Sequence, residues 1–195
     1  MYTWLSLKSG ADLSRLAKHV SSEYEPSRVI EKIRNGLSEA VRGVLVEKGY
    51  VDKDYRSTYY NFYAKKGQKY RSDCIRLHFF DESVKFDDVH LHLKCPDGQL
   101  SHHYFGYMVL RPTGIATIGR TVLSPDVRNG ARGPVISASY KVHLLGYRLA
   151  IDGFPSMDQH IDISVCAHVA CWSVLRHYSE RYSNYREFLT HDITM

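Results

Sequence analysis

The stretch CIRLHFF at residues 74–80 places the apolar residues Ile75, Leu77 and Phe79 in alternation with Arg76 and His78. An alternation of period two is typical of a strand that buries one face and keeps polar side chains on the other. Antiparallel sheets often have one such polar face. Residues 74–80 therefore predict a strand of an antiparallel sheet, and the rest of the chain is interpreted around it.

The period of two continues on the C-terminal side of this stretch. Residues 89–93 alternate in the same way, and a turn at 96–98 leads into another strand at 104–110. Further strands are predicted at 115–122, 135–145 and 147–151, with a loop at 124–134. We therefore expect a β-rich region over residues 73–152.

On the N-terminal side, apolar residues recur at steps of three and four. This spacing predicts one helix of about 23 residues that begins at Pro26 and ends before Gly49. Its apolar stripe comprises Val29, Ile30, Ile33, Leu37, Ala40, Val41, Val44 and Leu45. Residues 12–22 also permit a helix, so residues 1–72 are predicted to be a helical region.

The C-terminal region, residues 153–195, begins after a turn at 153–155. From Val165 onward the pattern predicts a helix, and a second helix is predicted at 185–189. The fold class that follows is α+β, with N-terminal helices, a central and mostly antiparallel sheet, and a C-terminal helix that carries Cys166 at its N-terminus.

The composition excludes several classes of protein. A chain of 195 residues with 44% hydrophobic and 24% charged residues is not intrinsically disordered. No apolar run reaches the length of a membrane span, and the N-terminus lacks the pattern of a secretory signal. The four cysteines form no CxxC pair, so we expect reduced thiols, a cytoplasmic location and no membrane partner.

The positive net charge lies in the N-terminal part of the chain. Residues 1–72 hold 14 Lys and Arg against 8 Asp and Glu, and residues 50–71 interleave tyrosines with cations. Such a segment can bind single-stranded nucleic acid through stacking and phosphate contacts. The favoured interpretation is tyrosines that pack on the core beneath a solvated basic face, so nucleic acid is the less favoured partner.

Two histidine pairs were considered as metal ligands. His90 and His92 would share one face of a strand, and His102 and His103 are adjacent. The sequence identifies no third and fourth ligand with suitable spacing. Polar histidines on a half-exposed sheet are therefore favoured, and we expect neither a metal nor another cofactor.

Cys166 and Gln159 form the candidate catalytic pair. The positive end of a helix dipole lowers the pKa of a thiol in the first helical turn and favours the nucleophilic thiolate. Cys171 lies five residues later, inside the helix, and gains no such help. The Gln159 side chain, on the incoming loop, could donate to an oxyanion that forms beside the sulfur. This pair predicts acyl-transfer chemistry.

The segment DQHIDISVCAHVACWSVL at residues 158–175 resembles a structural element of papain-like cysteine peptidases, including the bacterial bacteriocin-processing and transglutaminase-like branches. The resemblance covers about residues 155–182. It implies that Gln159 contributes to the oxyanion hole and that Cys166 is the nucleophile. It also assigns helix packing to Ala167, Ala170, Trp172, Val174 and Leu175.

Members of this family also need a histidine base and an Asn or Asp that orients it. Only 29 residues follow Cys166, and His191 and Asp192 lie next to each other in a predicted helix. Three explanations stay open: a truncated chain whose base lies in the remainder of the polypeptide or in a partner chain, a permuted site, or an inert buried cysteine. In the permuted site, an upstream strand supplies His143, His90 or His92.

The sequence thus predicts a cysteine peptidase or amide-cleaving domain that acts on a peptide or protein substrate and lacks activity as this chain alone. The alternative is a noncatalytic interaction module that binds a protein or nucleic acid through residues 50–71.

Overall fold

The protein has an α+β fold built on a central antiparallel sheet, as the sequence predicts. The structure is a computed structural model and describes residues 1–20, 22–67, 69–113, 117–130, 133–159 and 166–194. Its strands are β1 (Tyr2–Ser6), β2 (Gly43–Tyr50), β3 (Cys74–Phe80), β4 (Lys85–Asp87), β5 (His92–Lys94), β6 (Tyr104–Leu110), β7 (Ile118–Leu123), β8 (Ala138–Leu144) and β9 (Tyr147–Gly153). Its α-helices are α1 (Gly10–His19), α2 (Pro26–Gly36), α3 (Lys53–Thr58), α4 (Cys166–Arg181) and α5 (Thr190–Thr194).

The central sheet has the strand order β1-β2-β3-β6-β7, and each neighbouring pair is antiparallel. The strands β4 and β5 form one separate hairpin, and β8 and β9 form another. β3 is the middle strand and all seven of its residues are buried. Both faces of the sheet must therefore be covered by other elements.

Alternate residues of β3 supply two hydrophobic cores, one on each face of the sheet. Ile75, Leu77 and Phe79 pack with α1 and α2 through Leu16 and Val29, among others. On the opposite face, the core combines Cys74 and Phe80 with the β8–β9 hairpin and with buried aromatic residues. The hairpin alternates buried and exposed residues along β8, as expected for a strand with one solvated face.

The predicted long helix is wrong beyond Gly36. α2 ends there, Leu37 adopts an extended conformation, and the chain enters strand β2 at Gly43. Val44, Leu45 and Val46 are consecutive and all fully buried, because β2 contributes to both cores. β-Branched side chains favour such a strand. Since β1 also lies in this part of the chain, residues 1–72 are not purely helical.

Two smaller predictions are also wrong. Residues 89–91 form the turn of the β4–β5 hairpin, with Leu91 at a positive φ of 50°, so the strand predicted at 89–93 is reduced to His92–Lys94. The helix predicted at 185–189 is absent, and α5 begins instead at Thr190. In both segments, apolar spacing over five residues is too short to fix the backbone conformation.

Two of the tyrosines of residues 50–71 are buried as the favoured interpretation expects, whereas Tyr60 is 52% exposed. Tyr55 and Tyr63 are buried in the core that holds the β8–β9 hairpin, and Tyr63 and Tyr70 make an edge-to-face contact. The Tyr55 hydroxyl donates to the carbonyl oxygen of Arg71 at 2.8 Å. The buried rings therefore stabilise the fold and are not free to stack on bases.

Within the described ranges, no helix combines the length and the apolar character that crossing a bilayer requires.

Candidate active site

The candidate nucleophile Cys166 is the first residue of α4, and its side chain is exposed. This placement agrees with the sequence prediction of a cysteine at the N-terminus of the C-terminal helix. The backbone N–H groups of the first helical turn have no acceptor within the helix. Val165, where the helix was predicted to begin, lies outside the described residues.

The candidate oxyanion donor Gln159 lies directly against the cysteine. Its side-chain amide donates a hydrogen bond to the sulfur of Cys166, and both side chains are exposed. The sequence therefore identified two residues that the fold brings into contact. The contact places an N–H donor beside the atom at which acyl-transfer chemistry would occur.

The segment that leads to Gln159 is held along the edge of β7. Ser156 and Thr121 exchange two backbone hydrogen bonds of 2.7 and 2.9 Å. The backbone N–H of Asp158 donates to the carbonyl oxygen of Ile118 at 2.9 Å. The Asp158 carboxylate accepts two hydrogen bonds from Arg28, at 3.0 and 3.1 Å. These contacts fix the backbone immediately before Gln159.

An open cleft of about 560 Å³ lies beside the pair. Its described lining residues are Arg28, Met157, Asp158, Gln159, Cys166, Val169 and Ala170. This volume is within the usual range for small-molecule and peptide side-chain sites. The sulfur of Cys166 is therefore accessible from an open cleft.

No histidine is among the described residues that line this cleft. His143 is exposed on β8 and lines a different cavity, together with Arg76 and Lys141. His90 Nδ1 lies within hydrogen-bond distance of the Asp87 carboxylate, at 3.0 Å, in the β4–β5 hairpin. His92 Nδ1 and the Tyr147 hydroxyl form a hydrogen bond with each other. The structure thus places none of the three upstream candidates on the wall of the cleft.

The downstream pair His191 and Asp192 belongs to α5. The Asp192 carboxylate accepts a hydrogen bond of 2.8 Å from the backbone N–H of Leu189, so it caps the start of this helix. Asp192 therefore stabilises a helix end in the described structure.

The packing that the resemblance assigns to α4 is only partly correct. Trp172 is fully buried and Leu175 is half-buried, but Ala167, Ala170 and Val174 are exposed. The buried face of the helix consists instead of Trp172, Ser173, Arg176 and His177. The prediction fails for the three exposed residues because α4 docks on a polar surface and not on an apolar core.

That polar surface is a buried network of charged residues that the sequence did not reveal. Arg176 forms ion pairs with Glu180, at 3.2 Å, and with Glu187. Arg120 of β7 pairs with Asp52 at 2.9 Å. Asp52 in turn caps α3 by accepting from the backbone N–H of Tyr55. The network connects α3, α4 and β7, and so it positions the helix that carries Cys166.

Asp54 lies at the centre of this network and is almost completely buried. Burial, and then the neighbouring charge of Asp52, raise the pKa of the Asp54 carboxyl to about 6. Arg120 and Arg176 act in the opposite direction and do not compensate. The sequence DKD at residues 52–54 does not indicate this burial, because the neighbouring cations, Arg120 and Arg176, are far away in the sequence.

Among the described residues, one group of side chains has the donors that a metal ion requires. It consists of Cys95, Asp97 and His103, in the loop between β5 and β6. The sequence had singled out His102 and His103 but not the cysteine and aspartate that accompany them.

Comparison with protein-family models, with curated proteins and with solved structures gives no match to this chain.

Proposed function

We propose that this chain is a thiol-dependent hydrolase of the papain-like class that cleaves a peptide or another amide bond. Cys166 is the nucleophile and Gln159 the side-chain oxyanion donor. The observation that carries the proposal is the hydrogen bond from the Gln159 amide to the exposed Cys166 sulfur, at the start of α4 and at the wall of an open cleft.

The attack on the carbonyl uses groups that are in place, whereas the departure of the amine needs a general acid that the described cleft wall does not supply. The Cys166 thiolate attacks the carbonyl carbon, a C–S bond forms, and the carbonyl electron pair moves to the oxygen. The Gln159 N–H and the Cys166 backbone N–H stabilise that oxyanion. Collapse of the intermediate breaks the C–N bond and leaves an acyl group on the sulfur, while the amine departs with a proton from a general acid.

The second half needs a base that activates water to hydrolyse the thioester and regenerate the thiolate. Since the described residues of the cleft wall include no histidine, we propose that this residue comes from a polypeptide segment outside the described structure, such as a partner chain. The proposed partners are therefore a peptide or protein substrate and a segment that supplies the histidine. The proposed compartment is the cytoplasm, where the four free thiols would stay reduced.

An ester with a good leaving group tests the nucleophile without the missing acid. With p-nitrophenyl acetate, phenolate leaves unprotonated, so the chain should release one equivalent of p-nitrophenolate in a burst and retain an acetyl group on Cys166. Mass spectrometry of the peptide that contains Cys166 would locate the acetyl group. Slow turnover after the burst is expected, because deacylation lacks its base.

Variants make this test specific. Cys166→Ser should abolish the burst, while Cys171→Ser, which changes the other exposed cysteine of α4, should leave it unchanged. Gln159→Ala should slow the burst about 100-fold, which is the effect typical of removing an oxyanion donor. Equal acetylation of Cys166 and Cys171, or a burst that is indifferent to Gln159→Ala, would contradict the proposal.

A further inference from the structure

The loop that joins β5 to β6 folds back on itself and brings a set of metal-ligand side chains together. Gly98, at a positive φ of 71°, closes a turn in which its N–H donates to the carbonyl oxygen of Cys95 at 3.3 Å. The Asp97 carboxylate accepts from the backbone N–H of Gln99 at 2.9 Å. A short 3₁₀-helix, Leu100–His103, follows directly and returns two histidines to the turn.

Three side chains converge in this loop. His103 Nε2 lies 3.0 Å from Asp97 Oδ1, and the Cys95 thiol hydrogen-bonds the same carboxylate. The Cys95 sulfur, an Asp97 oxygen and a His103 nitrogen all lie within 4.8 Å of one another. In a tetrahedral zinc site, ligand atoms about 2.0 to 2.3 Å from the ion are about 3.3 to 3.8 Å apart. The three side chains are thus already close to ligand positions.

We propose that Cys95, Asp97 and His103 bind one zinc ion, with His102 as the fourth ligand, and that this site fastens the β5–β6 loop to the sheet. The proposal concerns a region apart from the Cys166 cleft and does not depend on the proposed hydrolase activity.

The surroundings of His103 supply an independent argument. Its other ring nitrogen, Nδ1, lies 2.6 Å from Oδ2 of Asp81, which follows the end of β3. A carboxylate on the distal nitrogen of a zinc-bound imidazole is the usual outer contact of such ligands, because it fixes the tautomer and the ring orientation. The second oxygen of Asp81 accepts from the backbone N–H of Ser83 at 2.8 Å, so Asp81 is itself held in place.

The proposed fourth ligand, His102, lies beside the Asp97 carboxylate. His102 Nδ1 lies 3.3 Å from Asp97 Oδ2, and its side chain is 64% exposed, so it can rotate towards an ion without loss of core packing. The resulting set has one thiolate, one carboxylate and two imidazoles. Thiolate and imidazole donors favour zinc, whereas magnesium and calcium prefer oxygen ligands alone.

Cobalt substitution tests the site directly. The purified chain, freed of metal with a chelator, is titrated with Co²⁺ and then with Zn²⁺. We expect one equivalent of Co²⁺ to produce a thiolate-to-cobalt charge-transfer band and the intense visible bands of tetrahedral coordination, and Zn²⁺ to displace it. Isothermal titration with Zn²⁺ alone should give one tight site. A folded chain that gives no charge-transfer band would overturn the proposal.

Matched variants locate the ion. Cys95→Ser should remove the charge-transfer band and weaken zinc binding at least 100-fold, and His103→Ala should weaken it to the same extent. Asp81→Asn should keep the band but weaken binding about 10- to 100-fold, as expected for an outer contact. If binding or the band survives Cys95→Ser unchanged, the assignment is wrong.

Two controls separate this site from the other candidate chemistry. His90→Ala alters the neighbouring histidine that pairs with Asp87 at 3.0 Å, so it tests whether any His–Asp pair of the hairpin region suffices. Cys166→Ser tests the proposed nucleophile. Both variants should bind zinc as the unaltered chain does, and loss of zinc binding in either would place the ion elsewhere.

Discussion

Trp172 of α4 donates a hydrogen bond from its indole Nε1 to Oδ1 of Asp54 in α3, over 2.9 Å. The two residues are 118 positions apart in the chain, and both are buried. The backbone N–H of Thr190 donates to the same oxygen at 3.3 Å. One carboxylate thereby joins α3, α4 and α5, and the position of the helix that begins at Cys166 depends on it.

Replacing the indole tests this attachment. Trp172→Phe keeps an aromatic ring but removes the donor, and it leaves a buried carboxylate with one partner fewer. We expect a loss of about 1 to 3 kcal/mol in the free energy of unfolding, measured by urea denaturation. Val174→Ala, at an exposed position two residues away, should change it by less than about 0.5 kcal/mol. Equal effects of the two changes would show that the hydrogen bond contributes nothing.

The thiols should differ in reactivity. Cys166 lies at the positive end of α4, Cys171 is exposed within the helix, Cys95 is half-buried and Cys74 is buried. We expect iodoacetamide to modify Cys166 first at neutral pH, because its exposed sulfur lies at the wall of an open cleft and accepts a hydrogen bond from the Gln159 amide. Mass-spectrometric labelling over time measures the four rates. Labelling of Cys166 no faster than that of Cys171 would indicate a structural thiol.

Peptide cleavage should be absent from this 195-residue chain alone. An amide leaving group needs a proton from an acid within hydrogen-bond reach of the reacting atoms, and the described cleft wall offers no histidine. A panel of fluorogenic peptides, assayed with the chain and with its Cys166→Ala variant, measures this. Robust cleavage that disappears in the variant would instead show that the chain contains its own base, with His143, His90 and His92 as the first candidates.

The buried apolar residues at the end of α2 and directly after it should tolerate no charge. Ile33 and Leu37 are 4% and 8% exposed and pack in the core between the sheet and helices α1 and α2. Ile33→Asp or Leu37→Asp buries an unpaired carboxylate there, and each should cost about 3 kcal/mol or more in unfolding free energy. Arg34→Asp, at the exposed neighbouring position, serves as the control for charge alone. Unchanged melting temperatures for both core variants would mean that the stripe is not buried.

His78 should make stability depend on pH. It is fully buried between the Tyr104 hydroxyl and the Glu47 carboxylate, and burial lowers the pKa of its imidazole to about 4. The unfolded chain takes up a proton near its ordinary pKa of about 6.5, whereas the folded chain does not. The contribution of His78 is therefore complete above pH 6.5 and declines as the pH falls towards 4.

The measurement compares His78→Gln with the unaltered chain, because Asp54 acts in the opposite direction. The raised pKa of Asp54, about 6, makes its contribution fall as the pH rises from about 4 to 6. Subtracting the unfolding free energies of the two proteins at each pH removes the Asp54 part. The difference should grow between pH 4 and 6.5 and then stay level. A constant difference over this range would show that folding does not lower the pKa of His78.

Much of the fold could be predicted because apolar and polar residues alternate along several strands. Residues 75–79 and the β8–β9 hairpin alternate clearly, since each must present a different surface on its two sides. The end of α2 could not be predicted in this way. Val44, Leu45 and Val46 fit a helical stripe and a strand buried on both faces equally well, and only pairing with β1 and β3 decides between them.

The candidate sites also differ in whether a local sequence pattern is enough to find them. Cys166 and Gln159 are seven residues apart, so a local pattern sufficed to find them. Cys95, Asp97, His102 and His103 also lie within nine residues, and the spacing of a cysteine and an aspartate before two histidines was the available signal. Asp81 and the charged network under α4 could not be found, because their partners come from distant parts of the chain.

The sharing of β3 between both cores has a consequence for how the protein denatures. Neighbouring residues such as Leu77 and His78 face opposite sides, so neither core can lose its packing while the middle strand keeps its hydrogen bonds. The helical layer and the hairpin layer should therefore melt together, as one cooperative unit with a single transition and no populated half-folded species.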